Sequence, residues 1–368
     1  MSLSLLLTLG VAFGVAACAT PLVKQLACTL GVVDRPSERS VNRRQGIPLL
    51  GGLAVALGLF VGLSLGIVVM DLPRSKGHLE AYLIGGTLLL AVGVVDDRYS
   101  LRALPKLAGQ LAAAAVAIGF GFRIDHLTDP FTLAVWSFPT WLVWAVTTLW
   151  IVGVTNAMNL MDGLDGLCTG IAVIIAATLT YIAWQAGLPS GVVTGIALGG
   201  ALLGFLPYNF PPASIFLGDT GALFIGYCLS LLALEGYQKA TVLTFIVPLL
   251  VLAVPIIDTL LSIFRRIAQR SNPLAADRMH MHHRLLDSEG SDRAAVLSIY
   301  FLTACFCVIA VSFTRLEGYA ALLFLVAVGL LTVRLLRNLG FFDNADGTRG
   351  KRGRDLEAES ARTPGESR

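Results

Sequence analysis

Carboxylates stand at the ends of hydrophobic stretches in four places: VVDDR (Asp96, Asp97), NLMDGLDGL (Asp162, Asp165), FLGDTG (Asp219) and PIIDTL (Asp258). An Asp inside a bilayer costs about 2.5–3.5 kcal/mol on insertion scales, so a chain that places several near one has a use for them. Asp96 and Asp97 are adjacent and repel each other, which calls for a cation beside them: a metal ion, or Arg98, Arg102 and Lys106. The plainer alternative is a helix-end charge pair among lipid headgroups. In NAMNLMDGLDG, Asn156, Asn159, Asp162 and Asp165 recur at every third residue, and Gly163 and Gly166 allow a break or a close approach to the backbone. Amide and carboxylate oxygens suit a hard cation such as Mg²⁺; otherwise the stretch is a solvated loop. Asp219 enters a helix from a Gly-flanked turn, where it either faces a metal or caps the helix. Phe216 either stacks on a nucleobase or anchors its loop in lipid.

A second cluster is basic. Residues 277–284 (DRMHMHHR) concentrate His280, His282 and His283 next to Arg284. The spacing is not that of a helical zinc site, and no Cys completes one. An anion such as phosphate fits better, through charge-assisted hydrogen bonds; a structural loop and a metal site stay open. Carboxylates for a divalent cation and a basic loop for phosphates are together what phosphoryl transfer requires.

The elements that must hold these groups are apolar. The chain is 55% hydrophobic and 14% charged, with mean hydropathy +0.76. Apolar runs of this length read as transmembrane helices. They centre on 3–22, 48–69, 79–95, 105–120, 138–154, 168–185, 192–206, 221–234, 241–263, 294–312 and 319–336. The predicted fold is all-α: a polytopic integral membrane protein of about 10–11 transmembrane helices. The runs are apolar all round and lack the alternation of a membrane barrel. Lys and Arg crowd into 31–46, 96–106, 264–293 and the tail from 334, which predicts an outside N-terminus and a cytoplasmic C-terminus. Asp96–Asp97, Asp162–Asp165, Asp219 and the His cluster then share the cytoplasmic face, with Asp258 in the inner half of its helix. The net charge of +3 reports this topology rather than a nucleic-acid partner. Residues 1–338 form one membrane domain, and the polar, Gly-rich 339–368 is expected to be a disordered cytoplasmic tail. Val15–Cys18 resembles a lipoprotein cleavage box, but no basic residue precedes it, so the first segment is expected to be an uncleaved anchor. The six scattered cysteines form no disulfide framework and no metal spacing. A transporter is the rival class, although its sites tend to lie near the midplane.

VVDDR, NAMNLMDGLDGL, YNFPPASIFLGDTGAL, PIIDTL, NPLAADRMHMHHRLL and the early VVDRPSERSVNRRQGIPLLGGLAV, in this order, resemble the motifs of the polyprenyl-phosphate N-acetylhexosamine-1-phosphate transferase superfamily, glycosyltransferase family 4. HMHHRLL and YNFPPASIFLGDTG are similar to the branch using UDP-N-acetylglucosamine or a related UDP-HexNAc. The runner-up branch transfers phospho-MurNAc-pentapeptide for peptidoglycan. Its histidine motif differs from residues 280–285 here. The resemblance implies a Mg²⁺-dependent enzyme (Mn²⁺ substituting) in the bacterial cytoplasmic (inner) membrane. It would move HexNAc-1-phosphate from a UDP-sugar to undecaprenyl phosphate, release UMP and initiate a cell-envelope glycan; a homodimer is allowed for. It further implies Asp219 and Asp165 as metal ligands and Asp96 and Asp97 as catalytic groups at the lipid phosphate. Asn159 and Asp162 would line the nucleotide-sugar site, and Phe216 would stack on uracil. Lys106, His280, His282, His283 and Arg284 would meet phosphates. It assigns Asp258 no role.

Overall fold

The computed structural model describes residues 3–34, 46–72, 78–128, 134–235, 242–268, 280–316 and 318–338. The tail 339–368, residues 35–45 of the first loop and residues 269–279 of the loop 264–293 lie outside them. The elements are α1 (Leu3–Leu30), α2 (Gly51–Val69), α3 (His78–Tyr99, with a π-helical turn at Ala81–Gly85), α4 (Ala103–Gly119), α5 (Thr140–Leu160), α6 (Leu167–Gln185), α7 (Pro189–Asn209) and α8 (Gly218–Glu235). They continue with α9 (Val242–Val251), α10 (Ala253–Ala268), α11 (Met281–Glu289), α12 (Asp292–Phe313) and α13 (Gly318–Asn338). Seven of them, α1, α2, α3, α5, α6, α7 and α12, are long and apolar enough to cross a membrane. The predicted single segment 241–263 divides at Leu252 into α9 and α10; Pro248, inside α9, has no N–H to continue the ladder.

One departure from the all-α expectation is an antiparallel hairpin, β1 (His126–Thr128) on β2 (Val135–Ser137), with Leu127 opposite Trp136. Its residues alternate too briefly to register as strands beside long apolar runs. Trp136, Trp141 and Trp184 are exposed at this end of the bundle, where amphipathic rings suit the membrane–water interface.

Helices apolar all round must choose a face by size rather than polarity. On α1 the buried positions are Thr8, Ala12, Ala16, Ala19, Thr20, Val23 and Ala27, while Leu3, Leu7, Phe13, Leu22 and Leu26 point outward. Small residues let the backbones approach, and large ones cover the lipid side. α1 packs against α2 and α7, and α7 against α6. α8 lies at the centre, ringed by α5, α3, α2 and α6, and all of its residues except Asp219 are buried. Helix directions alternate, so the ends of α1, α3, α5 and α7 and the starts of α2, α4, α6 and α8 meet at one end of the bundle. α13 is a separate helix with Tyr319, Leu323, Leu330 and Leu331 exposed.

Candidate active site

The start of α8 organises the site. Asp97, in the last turn of α3, accepts hydrogen bonds from Asp219 N (2.8 Å), Thr220 N (3.2 Å) and Thr220 Oγ1 (2.6 Å). A carboxylate from another helix thus satisfies two of the orphan N–H groups at the α8 N-terminus. Gly218 turns the chain into α8 at φ +71°, and a Cβ there would stand 2.5 Å from Asp97 Oδ2. Gly93 of α3 and Gly52 of α2 bring backbones against the same turn. A Cβ on Gly93 would lie 2.3 Å from Thr220 Cα, and one on Gly52 2.2 Å from Gly221 Cα. The strand of chain before α8 is pinned by Phe216 N to Pro48 O (2.8 Å), Gly51 N to Phe216 O (3.1 Å) and Gly52 N to Leu217 O (3.1 Å).

Fixed in this way, Asp219 faces its partners across the helix ends. Lys106, in the first turn of α4, bridges Asp96 Oδ2 (2.7 Å) and Asp219 Oδ1 (2.9 Å). Asn159 donates its side-chain amide to the same Asp219 oxygen. Asp96 Oδ1 accepts from Leu101 N (2.7 Å), which ties the α3–α4 turn to the site. Of the three charged groups, Asp96 is 6% exposed, Lys106 18% and Asp219 33%, so Asp219 is the one most open to a ligand. Lys106 is thus the cation beside Asp96, while Asp97 faces the α8 N-terminus. Arg98 turns away to the Gly31 carbonyl (2.9 Å).

The polar series of α5 does not stay helical. The helix ends at Leu160, and residues 161–166 form a turn that carries Asp162 and Asp165. Asp165 is buried, with Oδ2 accepting from Ala213 N (2.9 Å). Asn156 leaves the series to pair with Gln110 of α4. The Asp162 carboxyl is raised well above the usual carboxylate range by burial and then by the charges of Asp219, Asp97 and Asp165.

These groups line a cleft of about 610 Å³. Asp96, Asp97, Lys106, Asn159, Asp162, Asp165, Phe216 and Asp219, all predicted as site residues, form its walls. Asp34, Ser100, Leu101 and Asn209 join them unforeseen. Asp34 sits in the early motif loop; nothing in its own spacing marked it out. Asn209 accepts from Thr169 Oγ1 (2.7 Å) and donates to Ile215 O (3.1 Å), so it braces the approach to α8.

The histidine motif is placed differently. His280 and His282 are buried, 5% and 2% exposed, and stack with ring centroids 5.7 Å apart. His280 Nδ1 pairs with Asp258 Oδ2 (2.8 Å), and Met281 N donates to Asp258 Oδ1 (2.7 Å). Asp258, whose role the sequence left open, thus holds the start of α11. His282 packs against Gly163, where a Cβ would come within 2.2 Å of its Nε2. His280, His282 and Arg284 are not in the described lining of the cleft, and His282 meets the 161–166 turn at Gly163. The His283 side chain and residues 269–279 lie outside the described residues.

A hard divalent cation fits the donor set. Asp97, Asp162, Asp165 and Asp219 line the cleft with Lys106, and their oxygens are the donors Mg²⁺ prefers. Among the described residues no three His, Cys, Asp or Glu side chains converge closely enough to cage a metal by themselves. Mg²⁺ is commonly held by one or two carboxylates together with water and substrate phosphates.

The sequence pattern of glycosyl transferase family 4 matches residues 79–237. A Bacillus subtilis (strain 168) protein named "Probable undecaprenyl-phosphate N-acetylglucosaminyl 1-phosphate transferase" is 38% identical over 293 residues, covering 79% of this chain and 80% of that one. The decaprenyl-phosphate N-acetylglucosaminephosphotransferase of Mycolicibacterium smegmatis is 36% identical over 312 residues (77% and 75%). The undecaprenyl-phosphate alpha-N-acetylglucosaminyl 1-phosphate transferase of Escherichia coli K12 is 28% identical over 295 residues (76% and 76%).

Proposed function

This chain belongs to glycosyl transferase family 4, and from that premise we propose that it transfers N-acetylglucosamine-1-phosphate from UDP-N-acetylglucosamine to undecaprenyl phosphate. The observation that carries the reading is Lys106, held between Asp96 and Asp219 in a cleft otherwise rich in carboxylates. An oxygen of the lipid phosphate attacks the β-phosphorus of the nucleotide sugar. A new O–P bond forms, the bond from the bridging oxygen to the β-phosphorus breaks, and UMP leaves with that oxygen. The acceptor oxygen is already anionic near neutral pH, so no strong base is needed. The difficulty is to bring anions together.

Three devices of the chain address it. Lys106 offers a positive charge near both phosphates. The N-terminus of α8 adds its partial positive charge, with Asp97 fixing its direction. Asn159 and Lys106 hold Asp219 in place, so that it would bind Mg²⁺ with Asp165 beside it. When bound, that ion would neutralise charge on the transferred group. Asp96 holds Lys106 in place beside the acceptor phosphate. Direct displacement is favoured over an aspartyl-phosphate, because both oxygens of Asp96 and both of Asp97 are already engaged. Phe216, on the cleft wall, is suited to stack on uracil. The cleft end faces the cytoplasm of a bacterial inner membrane, as the Lys and Arg distribution of the loops indicates.

The test is UMP release by purified protein with undecaprenyl phosphate and a panel of UDP-sugars, with Mg²⁺, with Mn²⁺ and with EDTA. UMP is expected from UDP-N-acetylglucosamine with either metal and not with EDTA. Turnover that survives EDTA removes the metal from the scheme, and release from UDP-MurNAc-pentapeptide alone moves the chain to the peptidoglycan branch.

A further inference from the structure

A second cavity, of about 230 Å³, lies at the opposite ends of the helices that form the cleft. Its walls are the last turns of α2 (Leu63, Ile67), the first turns of α3 (His78, Leu79, Tyr82) and the start of α7 (Ser190, Thr194), with Glu235 closing α8. α8 separates Glu235 from Asp219 by roughly 24 Å at 1.5 Å per residue, so no group of this cavity touches the reacting phosphates.

The walls are largely aliphatic, yet they enclose a carboxylate only 5% exposed. Glu235 Oε1 accepts from Tyr82 Oη (2.9 Å) and Thr194 Oγ1 (3.3 Å). Glu235 Oε2 and His78 Nδ1 are buried without a hydrogen-bond partner among the described residues. Leaving a buried acceptor unpaired costs about 1–3 kcal/mol, more for a charged one. Among the described residues these two atoms on one cavity lack donors, although Ser190 and Thr194 stand beside the Glu235 carboxylate. A metal ion is a poor solution: His78, Glu80 and Glu235 all line the cavity, but among the described residues no three ligating side chains converge to hold one, and Leu63, Ile67 and Leu79 offer nothing to a hydrated ion. A primary ammonium supplies what Glu235 Oε2 lacks. It brings three N–H donors and a positive charge, and its alkyl stem fits aliphatic walls. Two aromatic rings, His78 and Tyr82, line the cavity as well. His78 stacks on Phe122 at 4.7 Å and Tyr82 meets the same ring edge-on at 5.8 Å, so a cation here finds rings already held in place.

We propose that this cavity binds a primary ammonium group on a short alkyl stem, with Glu235 as its counter-ion. The group belongs either to a free alkylamine or to the ethanolamine headgroup of a membrane lipid. The experiment measures thermal unfolding of the purified full chain. In detergent, propylammonium raises the Tm with saturation, and propanol and tetramethylammonium, which lack N–H donors on a cation, do not. Glu235→Gln weakens the propylammonium response at least tenfold. Leu79→Phe, which fills the cavity and keeps the carboxylate, also abolishes it and decides the matter if the Gln variant does not fold. In nanodiscs, phosphatidylethanolamine stabilises the wild type over phosphatidylcholine and blocks the propylammonium response if the source is the lipid. If the source is the free amine, the response is the same in both lipids. Equal responses of wild type, Glu235→Gln and Leu79→Phe, or no response of the wild type to either amine source, overturn the proposal.

Discussion

The acidic cleft and the Asp258–His280 corner both bury carboxylates beside a basic side chain, yet they are built on opposite principles. In the corner one carboxylate, 1% exposed, meets one imidazole and one backbone N–H, and each of its oxygens has a named donor. Among the described residues of the cleft, Asp96, Asp97, Asp162, Asp165 and Asp219 share the wall with one Lys, Lys106, which pairs with Asp96 and Asp219 alone. A matched buried pair fixes geometry, whereas removing one member leaves a costly orphan. An unmatched cluster opening on a cavity stores a demand for a ligand, and that demand is what marks functional sites. Of the histidines predicted to touch phosphate, His280 belongs to the first kind, and its neighbour His282 packs on Gly163 in the turn that carries Asp162 and Asp165.

Breaking the unmatched cluster should have the largest effect. Asp219→Ala is expected to lower kcat for UMP release by about 10³-fold, with a Tm close to wild type because Asp97 bonds the backbone N–H at 219, which alanine keeps. Full activity in this variant would reduce the cleft to a charge pattern without a function. Lys106→Met removes the one basic side chain that the described residues bring to the cleft wall, and a loss of about 10²-fold in kcat/KM for the lipid phosphate is expected; a change confined to the UDP-sugar would move the lysine to the other substrate. Asp258→Ala tests the matched corner. It should cost about 3 kcal/mol of stability, seen in chemical denaturation, while the molecules still folded keep activity within about tenfold. Asp258→Asn should restore part of the stability. A stable Asp258→Asn protein that has lost 10³-fold in turnover would put the corner into the chemistry and erase the contrast.

The smallest effect concerns Asp162 and its pH dependence. Its carboxyl is raised by burial and three neighbouring charges, so the folded chain holds that proton more tightly than the unfolded one. Its contribution is complete below the unfolded value near 4 and is lost as pH rises through the raised folded value. Asp162→Asn should therefore raise the Tm of the metal-free protein by a few degrees at pH 8, with the gap closing toward pH 4. A gap that widens on acidification would show that the neighbouring carboxylates do not act on Asp162.

Much of this was legible in sequence because membrane helices and membrane carboxylates are both loud signals. All eleven apolar stretches fall on helices, and eight predicted site residues line one cleft. What stayed hidden depended on contacts far apart in the chain. Asp97 reads as half of a repelling pair, and its service to the α8 N-terminus appears only when α3 and α8 are packed. Asp258 has no local partner, since His280 lies 22 residues away. His282 reads as an anion ligand because its chemistry permits it, but Gly163 leaves the space into which it packs. Asp34 carries no periodic signal, and the early motif that contains it did not single it out; it joins the cleft wall from the segment that follows α1.

The burial of α8 has a consequence for how the protein is made. A helix with charged residues at both ends and no lipid-facing side finds no favourable partner in the bilayer until its neighbours are present. α2, α3, α5 and α6 all precede it in the chain, so synthesis completes the socket before the occupant emerges. Nascent chains halted after α8 should retain it, whereas deleting α2 should expose it to membrane quality control.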